Sequence, residues 1–211
     1  MNKKLKSYKF VHTFNVYTFN LKEGNIMTKI LSIGASSSRN SINQKLAYYV
    51  ANQVKDAQVN LLDLNDFEMP IYSIDREQEN GMPELIKKFK QQILESDVIV
   101  LALAEHNGTY TTAFKNILDW GSRLEGKLWE DKPMFLLATS PGGRGAKTVF
   151  EAFQAYWPRK GANVVAAFSL PGFHQNFSTE EGVLENELKT KFVEQFTQFE
   201  AAIAHKAIST D

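Results

Sequence analysis

The chain has 211 residues, equal numbers of acidic and basic side chains and no cysteine. That length supports one sizeable buried core, and zero net charge argues against a surface built for nucleic acid or another polyanion. Without cysteine there are no disulfides, cysteine-held zinc, iron–sulfur clusters or thiol redox chemistry, so any electron transfer has to run through a bound cofactor.

Residues 1–26 stand apart. They open with Lys3, Lys4, Lys6 and Lys9, but Asn15, Thr18 and Asn20 interrupt the apolar positions that a signal peptide would need. Regular patterning starts at Met27, so the sequence divides into an N-terminal extension, expected to be non-native or poorly ordered, and a single domain over residues 27–211. Met27 is the expected natural start. The longest apolar runs, such as Val98 to Ala104, are too short to span a bilayer.

From Met27 onward, short apolar runs alternate with amphipathic segments. Lys29 to Ile33 predicts a strand, Ser41 to Val54 a helix carrying Ile42, Leu46, Tyr49 and Val50 at helical spacing, and Gln58 to Leu64 a second strand. Pro83 to Leu94 predicts a helix, and Asp97 to Leu103 is apolar enough for a central strand buried on both faces. Helix over Thr111 to Arg123, strand over Pro133 to Thr139 and helix over Gly145 to Trp157 follow. Strand over Asn163 to Leu170 and a long helix over Glu180 to Ala204 complete the pattern. Five strands separated by helices predict a doubly wound parallel sheet of flavodoxin-like order 2-1-3-4-5, with helices on both faces.

In such a sheet a ligand binds beyond the carboxyl ends of the strands, where the strand order reverses. The loop after the first strand, Gly34-Ala35-Ser36-Ser37-Ser38-Arg39-Asn40-Ser41-Ile42-Asn43, is dense in hydroxyls and runs into a helix N-terminus, the setting for a phosphate or for an ordinary Ser-rich cap. Its single glycine rules out the Gly-x-Gly-x-x-Gly dinucleotide fingerprint. The loop after the third strand reads Ala104-Glu105-His106-Asn107-Gly108-Thr109-Tyr110, and the loop after the fourth reads Ser140-Pro141-Gly142-Gly143-Arg144-Gly145. Gly142 to Thr148 lacks the P-loop glycines, because Ala146 and Pro141 occupy their places. The four histidines show no metal-ligand spacing. Lys115 and Asp119 are placed for a helical ion pair, and Trp120, Trp129 and Trp157 are expected in the core or at a subunit contact.

Over roughly Lys29 to Ala204 the chain resembles the NADPH-dependent FMN reductase family, which includes quinone-, azo- and chromate-reducing flavoproteins. The resemblance rests on Glu105-His106-Asn107-Gly108 followed by Lys115-Asn116-Ile117-Leu118-Asp119-Trp120, on Arg39-x-Ser41-x-Asn43, and on Ser140-Pro141-Gly142-Gly143-Arg144-Gly145. Ala104 and His106 stand where the family usually carries Pro and Tyr, and the first loop is one residue shorter than the common pattern.

The resemblance implies bound FMN and NADPH or NADH as electron donor. It implies a phosphate held by Ser36, Ser38, Arg39, Ser41 and Asn43 with the backbone at Ile42. The flavin ring would lie against Glu105, His106, Asn107 and Gly108, with Ser140, Gly142 and Gly143 at its pyrimidine side. Arg144 and Tyr110 are expected on the substrate side, and no side chain is expected as catalytic acid, base or nucleophile. A quinone-like small acceptor and a homodimer complete what the resemblance implies, and a cytoplasmic location is expected because a cysteine-free chain fits a reducing cytosol. Two alternatives remain: a non-enzymatic electron carrier, which the neutral charge argues against, and an FMN-free binding module on the same fold.

Overall fold

The computed structural model describes residues 27–209, together with two short strands, Tyr8–Lys9 and Thr18–Phe19, that pair antiparallel with each other. Apart from that pair, the expectation for residues 1–26 lies outside the described residues.

Five parallel strands form the main sheet: β1 (Thr28–Ala35), β2 (Ala57–Leu62), β3 (Val98–Leu103), β4 (Pro133–Thr139) and β5 (Asn163–Leu170). Their spatial order is β2-β1-β3-β4-β5, the flavodoxin-like order the pattern predicts. Helices α1 (Ile42–Asn52), α2 (Ile74–Asn80), α3 (Glu84–Glu95), α4 (Thr112–Gly121), α5 (Lys147–Tyr156), the one-turn α6 (Phe173–Asn176) and α7 (Asn186–Ser209) complete the fold.

Every residue of β3 is buried, as a strand covered on both faces requires. Its alternate side chains enter two separate cores. Ile99, Leu101 and Leu103 meet Ile86, Phe89 and Ile93 of α3, Phe114 and Trp120 of α4, and Phe153 of α5. Val98, Val100 and Ala102 meet Leu46, Ala47 and Val50 of α1 and Phe199 of α7. Trp120, Trp129 and Trp157 all belong to the first core.

The last helix begins six residues later than its apolar pattern suggests. Phe177–Ser178 and Gly182–Val183 form a small hairpin instead. Gly182 sits at φ +77°, and a Cβ there would lie 2.3 Å from the Tyr49 hydroxyl. At the outer edge of the sheet, the Ala167 N–H donates to Gln195 Oε1 of α7 at 2.8 Å. A β-bulge at Val165 opens between Met134/Val164 and Phe135/Ala166 in the β4–β5 register.

Candidate active site at the carboxyl edge of the sheet

The first loop is set by a close approach of strand and helix. A Cβ on Gly34 would fall 2.5 Å from the Cα and N of Gln44, so only glycine lets α1 start directly over the end of β1. Ser41 caps the helix: its hydroxyl accepts from Gln44 N at 3.2 Å. The first-turn N–H groups of Ile42 and Asn43 have no helical acceptor and face the loop. Before them, Ser36 is half-buried and Ser37, Ser38, Arg39 and Asn40 are exposed. Ser36 Oγ accepts from Ser38 N at 3.2 Å, which curls the loop into a turn. Hydroxyls, a guanidinium and a helix N-terminus thus share one short arc, a donor set that fits a phosphate.

Three buried side chains tie the strand ends together. Thr111 caps α4 and donates its hydroxyl to Ala35 O at 2.9 Å, joining the third loop to the end of β1. Asn43 bridges to β4: its Nδ2 donates to Thr139 O at 3.2 Å and its Oδ1 accepts from Thr139 N at 3.0 Å. Thr139 in turn donates to Leu170 O at 2.7 Å. Asn43 is only 3 % exposed, and its amide is held by both main-chain groups of Thr139. The Ser41 hydroxyl accepts the Gln44 N–H in the helix cap, and its own O–H remains a donor.

The third loop is a hairpin of Glu105–His106 paired with Thr109–Tyr110. Asn107 (φ 52°) and Gly108 (φ 78°) form its two-residue turn, and both central residues at positive φ match the turn type that Asn-Gly favours. His106, Asn107 and Gly108 are exposed at the tip, with open space where a Gly108 Cβ would stand. Glu105 points elsewhere: its Oε2 accepts from Val149 N at 3.0 Å and caps α5, whose own N-cap residue Ala146 supplies no side-chain cap. The Tyr110 hydroxyl accepts from Trp157 Nε1 at 3.1 Å. Burial raises the Tyr110 phenol above its ordinary value and outweighs the opposing pull of the Trp157 bond.

In the fourth loop, Ser140 Oγ donates to Gly142 O at 3.2 Å, and the N–H groups of Gly172 and Phe173 reach Gly142 O and Ser140 O. Nothing occupies the space beside the Cα atoms of Gly142 and Gly143. Gly145 packs so closely on β5 that a Cβ would lie 2.6 Å from Ser169 Oγ. Arg144 is exposed and donates from Nη2 to Thr148 Oγ1 at 3.0 Å.

Of the residues that sequence reasoning placed at this edge, Ser36, Ser38, Arg39, Ile42, His106, Asn107, Gly108, Ser140, Gly142 and Gly143 belong to the three loops, or the helix start, that follow the carboxyl ends of β1, β3 and β4. Ser41, Asn43 and Glu105 hold the loops in place, and Tyr110 points into the α5 side. Thr111 and Thr139 went unrecognised as tie residues. Thr111 carries a signal, a Thr directly ahead of an apolar helical run, whereas Thr139 carries none.

A second framework holds the segment after β2 against α4. Asn116 accepts from Tyr72 N at 2.9 Å and donates to Met69 O at 3.0 Å, while Trp120 Nε1 donates to Pro70 O at 2.8 Å. The Tyr72 hydroxyl donates to Glu77, which also pairs with Arg123 at 3.0 Å. Desolvation and the Glu77 hydrogen bond hold the Tyr72 phenol above its ordinary value. Lys115 and Asp119 make the helical ion pair at 2.7 Å on the exposed side.

Known proteins place this architecture. Among solved structures, the flavoenzyme FerB, an NAD(P)H:(acceptor) oxidoreductase from Paracoccus denitrificans, superposes with a TM-score of 0.65 at 22% identity, covering 85% of this chain and 99% of its own; at that identity the likeness concerns the fold. A 2-hydroxy-1,4-benzoquinone reductase from a Burkholderia species is 34% identical over 119 residues, 56% of this chain and 63% of that protein. An Arabidopsis thaliana NADPH:quinone oxidoreductase is 26% identical over 132 residues, 61% of this chain and 66% of that one. The matched stretch therefore spans just under two thirds of these two relatives' own length. The profile of the NADPH-dependent FMN reductases matches residues 28–175, from the first strand of the sheet through all three loops, and the chain belongs to that family.

Proposed function

We propose that the chain is an FMN-containing oxidoreductase that takes hydride from NADPH or NADH and delivers it to a quinone-like acceptor. One observation carries the reading: Thr111 ties the loop that carries the open Asn107-Gly108 turn to the end of β1, where the hydroxyl-rich loop into α1 begins, at the point where the sheet reverses its order. Bound FMN supplies the hydride chemistry, and the net reaction is NAD(P)H, a proton and quinone going to NAD(P)+ and hydroquinone.

The residues divide into holders and framers. Ser36, Ser38 and Arg39, with the main-chain N–H groups of Ile42 and Asn43, neutralise and orient the phosphate. His106, Asn107 and Gly108 line the ring with main chain rather than bulky side chains, and Ser140, Gly142 and Gly143 offer donors where negative charge builds on reduction. Ser41, Asn43, Thr111 and Glu105 hold these loops in register, so donors meet the ligand already oriented. Arg144 receives the donor nucleotide. No side chain is needed as nucleophile.

The second copy of a homodimer would sit against the segment after β2, where Ile71 and Ile74 are exposed apolar side chains. Light scattering on the purified protein tests this. Among the described residues no helix is long and apolar enough to cross a membrane, and the reading places the enzyme in the cytoplasm, which fractionation tests.

Anaerobic titration of the FMN-loaded protein tests the central reading. Bleaching of the bound flavin by NADPH or NADH and recovery of its colour with benzoquinone are expected. Bound flavin that neither nucleotide reduces would make the chain an electron carrier, and failure to bind FMN would leave only the fold.

A further inference from the structure

At the amino ends of β4 and β5, on the opposite edge of the sheet from the three loops, the last turns of α7 border an open cleft of about 530 Å³. Lys132, His205 and Lys206 are among its lining residues. Lys132 is half-buried, on the segment that leads into β4. Its Nζ donates to two main-chain carbonyls at the end of α3, Leu94 O at 3.1 Å and Ser96 O at 2.6 Å. Among the described residues no carboxylate forms an ion pair with it. Asp97 is engaged by Lys206, whose Nζ lies 3.7 Å from its carboxylate and donates to its carbonyl. Glu130 pairs with Lys90, Asp131 with Lys127 at 2.8 Å, and Glu95 accepts from Gln91. His205 is exposed.

These surroundings disfavour an ammonium at Lys132. Burial strips water from the charge and the Lys206 cation repels it, while Asp97 and Glu130 attract it more weakly, so the amine is held below the ordinary lysine value. The hydrogen bonding also suits the uncharged form. An ammonium has three N–H groups to place and a neutral amine two, and two carbonyls receive them. The nitrogen lone pair is then left for an electrophile that enters the cleft. A desolvated lysine beside a second cation is a setting in which an amine becomes nucleophilic at moderate pH. The reagent has to be small to reach a half-buried nitrogen. Glu130 and Asp131, which also line the cleft, are already paired, so Lys206 favours an anionic reagent.

We propose that Lys132 is a modification site, an amine that takes the acyl group of a small acyl phosphate entering this cleft. The nitrogen attacks the acyl carbon and a C–N bond forms. The bond from that carbon to the bridging oxygen breaks, phosphate leaves with the electron pair, and the surplus proton on nitrogen passes to solvent. Nothing is oxidised or reduced. The amide product keeps one N–H for two carbonyls, so acylation also takes an anchor from the end of α3. Lying at the other edge of the sheet, the site is independent of the reductase reading.

The test exposes the full-length protein to acetyl phosphate at mildly alkaline pH and follows each lysine by peptide mass spectrometry, with rates normalised to the denatured chain. Lys132 is expected to acetylate at least about fivefold faster than the exposed Lys45 and Lys88. Lys206→Met should slow Lys132 about threefold or more, because the neighbouring cation is gone and Asp97 is released to hold the Lys132 ammonium. Lys206→Arg, which keeps the cation, should stay within about twofold of the parent. Thermal melts of both variants confirm that they are folded. A Lys132 that reacts no faster than Lys45 and Lys88 would overturn the assignment and leave it a charged cap on α3. So would a Lys132 rate that Lys206→Met does not change.

Discussion

Replacing Asn43 by alanine separates two roles that the sequence alone confuses. The Asn43 amide meets both main-chain groups of Thr139, at 3.2 and 3.0 Å, in a site only 3 % exposed. Truncation strands one N–H and one C=O away from water, each costing about 1–3 kcal/mol. Partial relaxation leaves an expected loss of about 2–4 kcal/mol, or a fall in Tm of roughly 6–12 °C for a chain of this size. The assay is urea and thermal unfolding of the protein freed of FMN, so the loss cannot come from a missing ligand contact. FMN affinity, followed by flavin fluorescence, should fall as well, because the first and fourth loops lose their tether. A flavin-free Asn43→Ala variant within about 0.5 kcal/mol of the parent, with FMN affinity still reduced, would refute the tether and make Asn43 a direct ligand.

Gly34→Ala should weaken FMN binding and cost about 1–3 kcal/mol or more, because its Cβ meets the backbone of Gln44 and displaces the α1 N-terminus; a fluorescence titration alongside a thermal melt reads both effects. Glu105→Ala removes the cap on Val149 N, and a loss of about 1–2 kcal/mol in urea unfolding is expected; an unchanged midpoint would show that the α5 terminus finds another acceptor. Tyr110→Phe leaves Trp157 Nε1 without its acceptor and should cost about 1–2 kcal/mol. Burial raises the Tyr110 phenol, so its favourable contribution is complete below the unfolded tyrosine value of about 10 and is lost as pH climbs through the higher folded one. The urea midpoint of the parent should therefore fall more steeply above pH 10 than that of the Phe variant.

Strands β4 and β5 occupy the same residues that their apolar runs predict, Pro133–Thr139 and Asn163–Leu170: β4 is buried on both faces and writes a continuous apolar segment, while β5 at the sheet edge buries alternate residues of a run still rich in apolar side chains. Helix α2 left no such trace. None of its residues is buried, so it has no apolar stripe, and it is defined by the Ser73 cap and by Gly81 at φ 71°. The hairpin at Glu105 has only two residues per strand, too few for alternation to register, and its Asn107-Gly108 turn reads equally as a turn signal and as a flavin contact. At the site, loop composition indicated where a phosphate would fit. Which polar groups were already committed stayed hidden, because the Asn43 partner lies 96 residues away in sequence and the Glu105 partner 44.

The Gln195 amide at the outer edge of β5 bears on how this protein behaves at high concentration. An exposed edge strand is a template on which another chain can lay a strand of its own, the first step toward ordered aggregates. Here the Ala167 N–H is already occupied by a side chain from α7, and Val165 bulges at the neighbouring position. An incoming strand would have to displace a 2.8 Å hydrogen bond and match an irregular register before gaining any of its own. Growth of the sheet at that edge is thereby discouraged, and association between copies is directed to helical faces, where it can close on itself and stop.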